Sequence, residues 1–170
     1  MLKELNKYLI ENNFQPTFKA ANESLFYDSI ELKYFSVVDN QNAFWPIEIG
    51  DLPFGDDSMK GFNIIQFYSP IIEGISDSNY TNITDFITQI NPKLTFGNFG
   101  YLAEHKLVFF KHNIILSDKC FSENCEIVNK TLLIIFFMLE NFQKAIADVA
   151  LGKVSVSEAM ESMPLNYIYQ

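Results

Sequence analysis

Eight apolar residues in a row, Leu132 to Leu139, sit in the middle of a stretch that otherwise reads as one long helix. Successive side chains on a helix point in very different directions, so no single stripe can gather such a run. A sheet must cover one side, and either the first helix of the chain or a second subunit must cover the other. The run is far shorter than the roughly 20 residues needed to cross a bilayer, and Lys130 and Glu140 bracket it. It belongs to a packed protein, and no membrane span is expected.

The long helix is expected from about Glu123 to Leu151, closed by Gly152 in a left-handed cap, with Lys153 near the negative end of its dipole. At the other end of the chain Leu2, Leu5, Tyr8 and Leu9 recur at three- and four-residue intervals, which predicts a first helix from about Leu2 to Asn12. From Phe18 to Tyr68 the period falls to two: Leu32, Tyr34, Ser36 and Val38 alternate with Lys33, Phe35 and Val37, as in a strand. A three-strand meander follows. Its middle strand sets Trp45, Ile47 and Ile49 on one face, and Pro46 removes a backbone donor, which places that strand at a sheet edge or a bulge. Asp51 to Gly61 reads as a solvated turn before strand character resumes over Phe62 to Tyr68.

Ile83, Phe86, Ile87 and Ile90 predict a second helix behind Asn82 as its cap, ended by Asn91 and Pro92. Strands around Phe99 to Leu102 and Leu107 to Leu116 form a hairpin turning near Glu104 and His105. Ser155 and Glu158 have the spacing of a capping box for a short last helix, which Pro164 closes. The sum is an α+β fold of order α-βββ-α-ββ-α: an antiparallel sheet, meander plus hairpin, packed by an N-terminal, a middle and a long C-terminal helix. One domain spans 1–152, and a short C-terminal helix and tail occupy 153–170.

With 48% apolar residues and 17 Phe in 170 residues, one well-formed core is expected. The net charge of −9 repels polyphosphate, and the 12 basic residues are all Lys, so no guanidinium fork is available for a phosphate or a guanine edge. Nucleic acid is a poor partner for this chain. The first residues lack the pattern of a secretory signal, and the two cysteines, Cys120 and Cys125, suit a reducing compartment, so a cytoplasmic location is expected.

No reactive cluster emerges, and we expect no enzyme, no cofactor and no metal. The two imidazoles are His105, in a turn, and His112, on one strand face with Val108, Phe110, Ile114 and Leu116, where a hydrogen-bonded core or rim residue is expected. Phe96-Gly97-Asn98-Phe99-Gly100 leads into strand sequence and not into the helix start that a phosphate loop requires. Asp56 and Asp57 have no further ligands at calcium-loop spacing. What remains is aromatic: Tyr27, Tyr34, Phe35, Phe44, Trp45, Phe54, Phe62, Phe67 and Tyr68 are more rings than one face of a small sheet buries. Aromatic residues anchor interfaces, so the expected partner is another protein chain. Phe44, Trp45, Ile47, Ile49 and Phe54 are the expected contacts, with an added strand docking beside Pro46.

The element order, the helix Ile83-Thr84-Asp85-Phe86-Ile87-Thr88-Gln89-Ile90-Asn91, the runs Phe96-Gly97-Asn98-Phe99 and Leu107-Val108-Phe109-Phe110, and the first helix ending at Asn12-Asn13-Phe14 together resemble the YbjN-like family. The resemblance covers about residues 1 to 152. It implies the fold of the class I chaperones of type III secretion, a non-enzymatic and often dimeric protein, and for the chaperone branch a role in holding an extended client segment. Two departures stand out: the hairpin turn Ala103 to Lys106 lacks the expected glycine, and the tail after Gly152 has no counterpart. The alternatives are a regulatory or immunity-type protein that blocks one folded partner, and a small-molecule sensor with an apolar pocket between long helix and sheet.

Overall fold

The computed structural model describes residues 1–23, 26–36, 43–53 and 60–163. Its elements are α1 (Leu2–Glu11), β1 (Pro16–Lys19), β2 (Ser29–Ser36), β3 (Ala43–Leu52), β4 (Phe62–Ile72), α2 (Tyr80–Ile90), β5 (Asn98–Leu102), β6 (Leu107–Ser117), α3 (Phe121–Ala150) and α4 (Val156–Ser162). The strands form one six-stranded antiparallel sheet in the order β1-β2-β3-β4-β6-β5. The α+β fold is as expected, with one strand more: β1, whose four residues are too few to declare a period.

Alternation decides which side of each strand is covered. Ile30 and Leu32 of β2, Ile47 and Ile49 of β3, Ile65 and Phe67 of β4, and Val108, Phe110 and Leu116 of β6 are buried against the helices. Leu2, Leu5 and Leu9 of α1 and Ile83, Phe86, Ile87 and Ile90 of α2 meet them from above, as their spacing requires. Across this core Phe99 makes an edge-on contact with Phe110, centroids 5.2 Å apart, and a tilted one with Phe142 of α3 at 5.9 Å.

Three local expectations are corrected. Asn82 lies inside α2 and does not cap it. The cap position is Asn79, whose Nδ2 donates instead to the Ala150 carbonyl at 2.9 Å and so satisfies the far end of α3. The strand carrying Pro46 is interior, lying between β2 and β4. It tolerates proline because its ladder with β4 runs only from Glu48–Tyr68 to Leu52–Ile64. Two residues further along that register Pro46 would stand opposite Pro70, and neither has an N–H to give. Lys106 itself adopts the left-handed conformation, φ 49°, that a glycine was expected to supply between β5 and β6.

Other local signals hold. Gly152 (φ 68°) follows α3 in the left-handed conformation. Ser155 and Glu158 form the reciprocal capping box, with the Ser155 amide donating to Glu158 at 2.8 Å. Asn91, at the end of α2, bonds the backbone of Phe99 twice: its Nδ2 donates to the carbonyl at 2.8 Å, and its Oδ1 accepts from the amide at 2.9 Å. That fork pins the edge strand β5 to the helix. Val37, Val38, the Asp56–Asp57 turn and Pro164 lie outside the described residues.

Candidate functional site

All four helices stack on one face of the sheet, and among the described residues no helix covers the other face, formed by the far sides of β2, β3, β4 and β6. The surface exposed there is not the polar one that an open antiparallel sheet usually presents. On β4 and β6 the paired Ile64 and Ile115 and the neighbouring Phe62 form an apolar corner, with Ile115 62% and Phe62 53% exposed. Gln66 and Asn113, the next pair along, bond side chain to side chain at 3.3 Å. Beyond them Tyr68 stacks on Phe109 with centroids 5.4 Å apart.

Glycine is what lets the rings lie flat on this face. A Cβ on Gly100 would come within 2.4 Å of the Phe109 ring, and one on Gly50 within 2.6 Å of the Tyr27 ring. Tyr27 and Phe109 therefore rest on bare backbone at two places on the sheet, with Tyr68 between. Tyr27 bonds Glu48, and burial first, then the Glu48 charge and that bond, raise its phenol above the ordinary value. Burial and neighbouring carboxylates raise Tyr68 likewise. Both phenols are neutral hydrogen-bond donors at neutral pH, set in an aromatic band bounded by the Glu31 and Lys19 ion pair on the β1 side.

The expected contact residues divide. Ile47 and Ile49 are both 0% exposed, on the helix side of β3, and no partner reaches them in the folded chain. They are core residues, since alternation puts them in step with Ile30 and Leu32 of the adjoining strand. Phe44 and Trp45 lie in β3, but their side chains lie outside the described residues, as does Phe54 altogether. Of the other rings proposed for the surface, Phe67 is buried while Tyr27, Phe62 and Tyr68 line the open face. Sequence reasoning missed Ile64, Phe109 and Ile115. Their signal was present in the alternation of β4 and β6, where both parities are apolar, as in a strand with two covered faces.

His112 lies on the helix side, its ring stacked on Phe96 with centroids 3.7 Å apart and 6.4 Å from that of Phe67. Its Nε2 is buried without a hydrogen-bond partner among the described residues, so stacking and not hydrogen bonding holds this ring, and burial lowers its pKa. His105 is exposed in the β5–β6 turn. Cys120 is an exposed free thiol and Cys125 a buried one. Among the described residues no three of His, Cys, Asp and Glu come together as metal ligands, and no helix is long and apolar enough to cross a membrane. Neither a protein-family model nor a curated protein matches this chain.

Proposed function

We propose that the chain is a non-enzymatic, cytoplasmic protein-binding module of chaperone type, which holds an extended segment of another protein on the open face of its sheet. The observation that supports this reading is the one-sided sheet whose bare face carries Phe62, Ile64, Ile115, Tyr68 and Phe109 on the adjacent strands β4 and β6. Exposed apolar surface of this kind, here two patches with the Gln66–Asn113 pair between them, marks interaction sites. A flat aromatic band favours an extended apolar segment laid across the strands, with the neutral Tyr68 hydroxyl available to its backbone carbonyls, while that of Tyr27 is engaged by Glu48. The reading also agrees in kind with the resemblance to the YbjN-like family, and it includes a homodimer formed on the helical side, away from the client.

The test is an array of extended peptides tiled from proteins of the same cell, probed with the full chain. The wild type binds apolar and aromatic segments, and Phe62→Glu/Ile115→Glu loses at least tenfold in affinity while keeping its circular dichroism spectrum. Equal binding by wild type and variant removes the open face as the site. Tight binding to one folded protein, with no peptide bound, replaces the chaperone reading with that of a dedicated regulator.

A further inference from the structure

On α3, one side is buried through Leu132, Ile135, Met138, Leu139 and Phe142, and the opposite side is not covered by any described residue over much of its length. Leu133, Ile134 and Phe137 stand 57%, 41% and 52% exposed there. The connection between α1 and β1 meets the flank of this region, where Phe14 stacks on Phe136. The bare stripe has a regular composition. Glu126, Lys130, Leu133, Phe137, Glu140 and Lys144 follow one another at alternating spacings of four and three residues, and all six are exposed. That alternation is the seam of a two-helix coiled coil, which keeps one line of residues facing a partner helix.

The order of charges along the seam selects the partner and its direction. Reading from the N-terminal end it runs acidic, basic, apolar, apolar, acidic, basic. Reverse a second copy about a two-fold axis at the level of Ile135, and every layer is complementary. Glu126 meets Lys144 of the second copy, Lys130 meets its Glu140, and Leu133 meets its Phe137. A parallel pairing in register would instead set each of these four charges against its own copy. The seam holds two Glu and two Lys, so it adds no net repulsion, although the chain as a whole carries −9. Within one chain Lys130 already pairs with Glu126 at 3.2 Å and Lys144 pairs with Asp148. These exposed pairs are weak and can be shared across the axis.

We infer that the chain forms an antiparallel homodimer through this stripe of α3, a seam of about 27 Å from Glu126 to Lys144 at the rise of an α-helix. It rests on the homodimer of the proposed function and adds the surface, the direction and the residue pairs. A two-fold interface uses the same patch on both copies, and the helical location leaves both open sheet faces available to clients.

The experiment is sedimentation equilibrium of the full chain as wild type, Glu126→Lys, Lys144→Glu and the Glu126→Lys/Lys144→Glu double variant, with circular dichroism as the check on folding. Both positions changed, Glu126 and Lys144, are exposed, so the fold is retained. Each single swap puts like charges into two symmetry-related layers and weakens the dimer about tenfold, and the double swap restores it. Phe137→Glu, which places a charge in both apolar layers, leaves a monomer. A parallel seam gives no rescue, because the double swap only exchanges one set of like-charge layers for another. A wild-type monomer at tens of micromolar removes the homodimer and the seam together. A wild-type dimer indifferent to all three charge variants and to Phe137→Glu leaves the homodimer standing and overturns this seam.

Discussion

Phe137 and Phe142 are five residues apart on the same helix and chemically identical, yet the fold gives them opposite fates. Phe142 is 1% exposed and closes the aromatic cluster with Phe99 and Phe110, whereas Phe137 is 52% exposed. Truncating Phe142 to Ala removes a wholly buried ring and leaves a cavity between α3 and the sheet, at a cost of about 3–5 kcal/mol. Half of the Phe137 ring is already in water, so its truncation forgoes roughly half of the transfer energy of one ring, about 1 kcal/mol, and opens no cavity. A difference of about 2–4 kcal/mol between the two variants follows, roughly 10 °C in Tm for a chain of this length. Urea unfolding followed by far-ultraviolet circular dichroism measures it. Dilute protein, at two concentrations, separates the monomer's stability from any dimer. If the two variants unfold within 1 kcal/mol of each other, α3 does not present these faces as described, and the placement of the bare stripe fails with it.

Three further outcomes are expected. Asn91→Ala removes both bonds to the Phe99 backbone and should cost about 1–3 kcal/mol, with amide exchange accelerated at Phe99 and its β5 neighbours more than at β3. Gly97→Ala should destabilise by about 2 kcal/mol or more, because φ is 69° there and an added Cβ would come within 2.2 Å of the fully buried Phe110 ring; an unchanged unfolding midpoint would contradict that packing. His112 has a pKa lowered by burial from an ordinary 6.5, so the unfolded chain binds the proton more tightly. Its stability contribution is complete above about pH 6.5 and declines as the pH falls from there towards the folded-state pKa. The wild type should therefore lose stability across that window, and His112→Gln should flatten the slope.

Much of the fold was legible because its signals are local. The three- and four-residue spacings of Leu2, Leu5 and Leu9, and of Ile83, Phe86, Ile87 and Ile90, name the residues that these helices bury, and the structure buries them. The Ser155–Glu158 capping box and the left-handed Gly152 depend on a few adjacent residues and were readable for that reason. The turn at Lys106 was read as lacking its glycine because sequence states a preference, and a lysine can occupy the left-handed region when the strands on either side fix the turn.

What the amino-acid order determined alone was the helices with their inward faces, five of the six strands and the surplus of apolar residues on the long helix. Strand order, the side of α3 left bare and the face of the sheet left open were decided only in three dimensions. Alternation looks the same in an edge strand and an interior one, so Pro46 pointed to an edge until Pro70, a residue of the next strand, was seen to lie in line with it. Ile47 and Ile49 read as surface anchors for the same reason, since a period of two says which residues share a side but not which side the helices will cover. That choice belongs to contacts between residues far apart in the chain, where sequence spacing carries no information about distance.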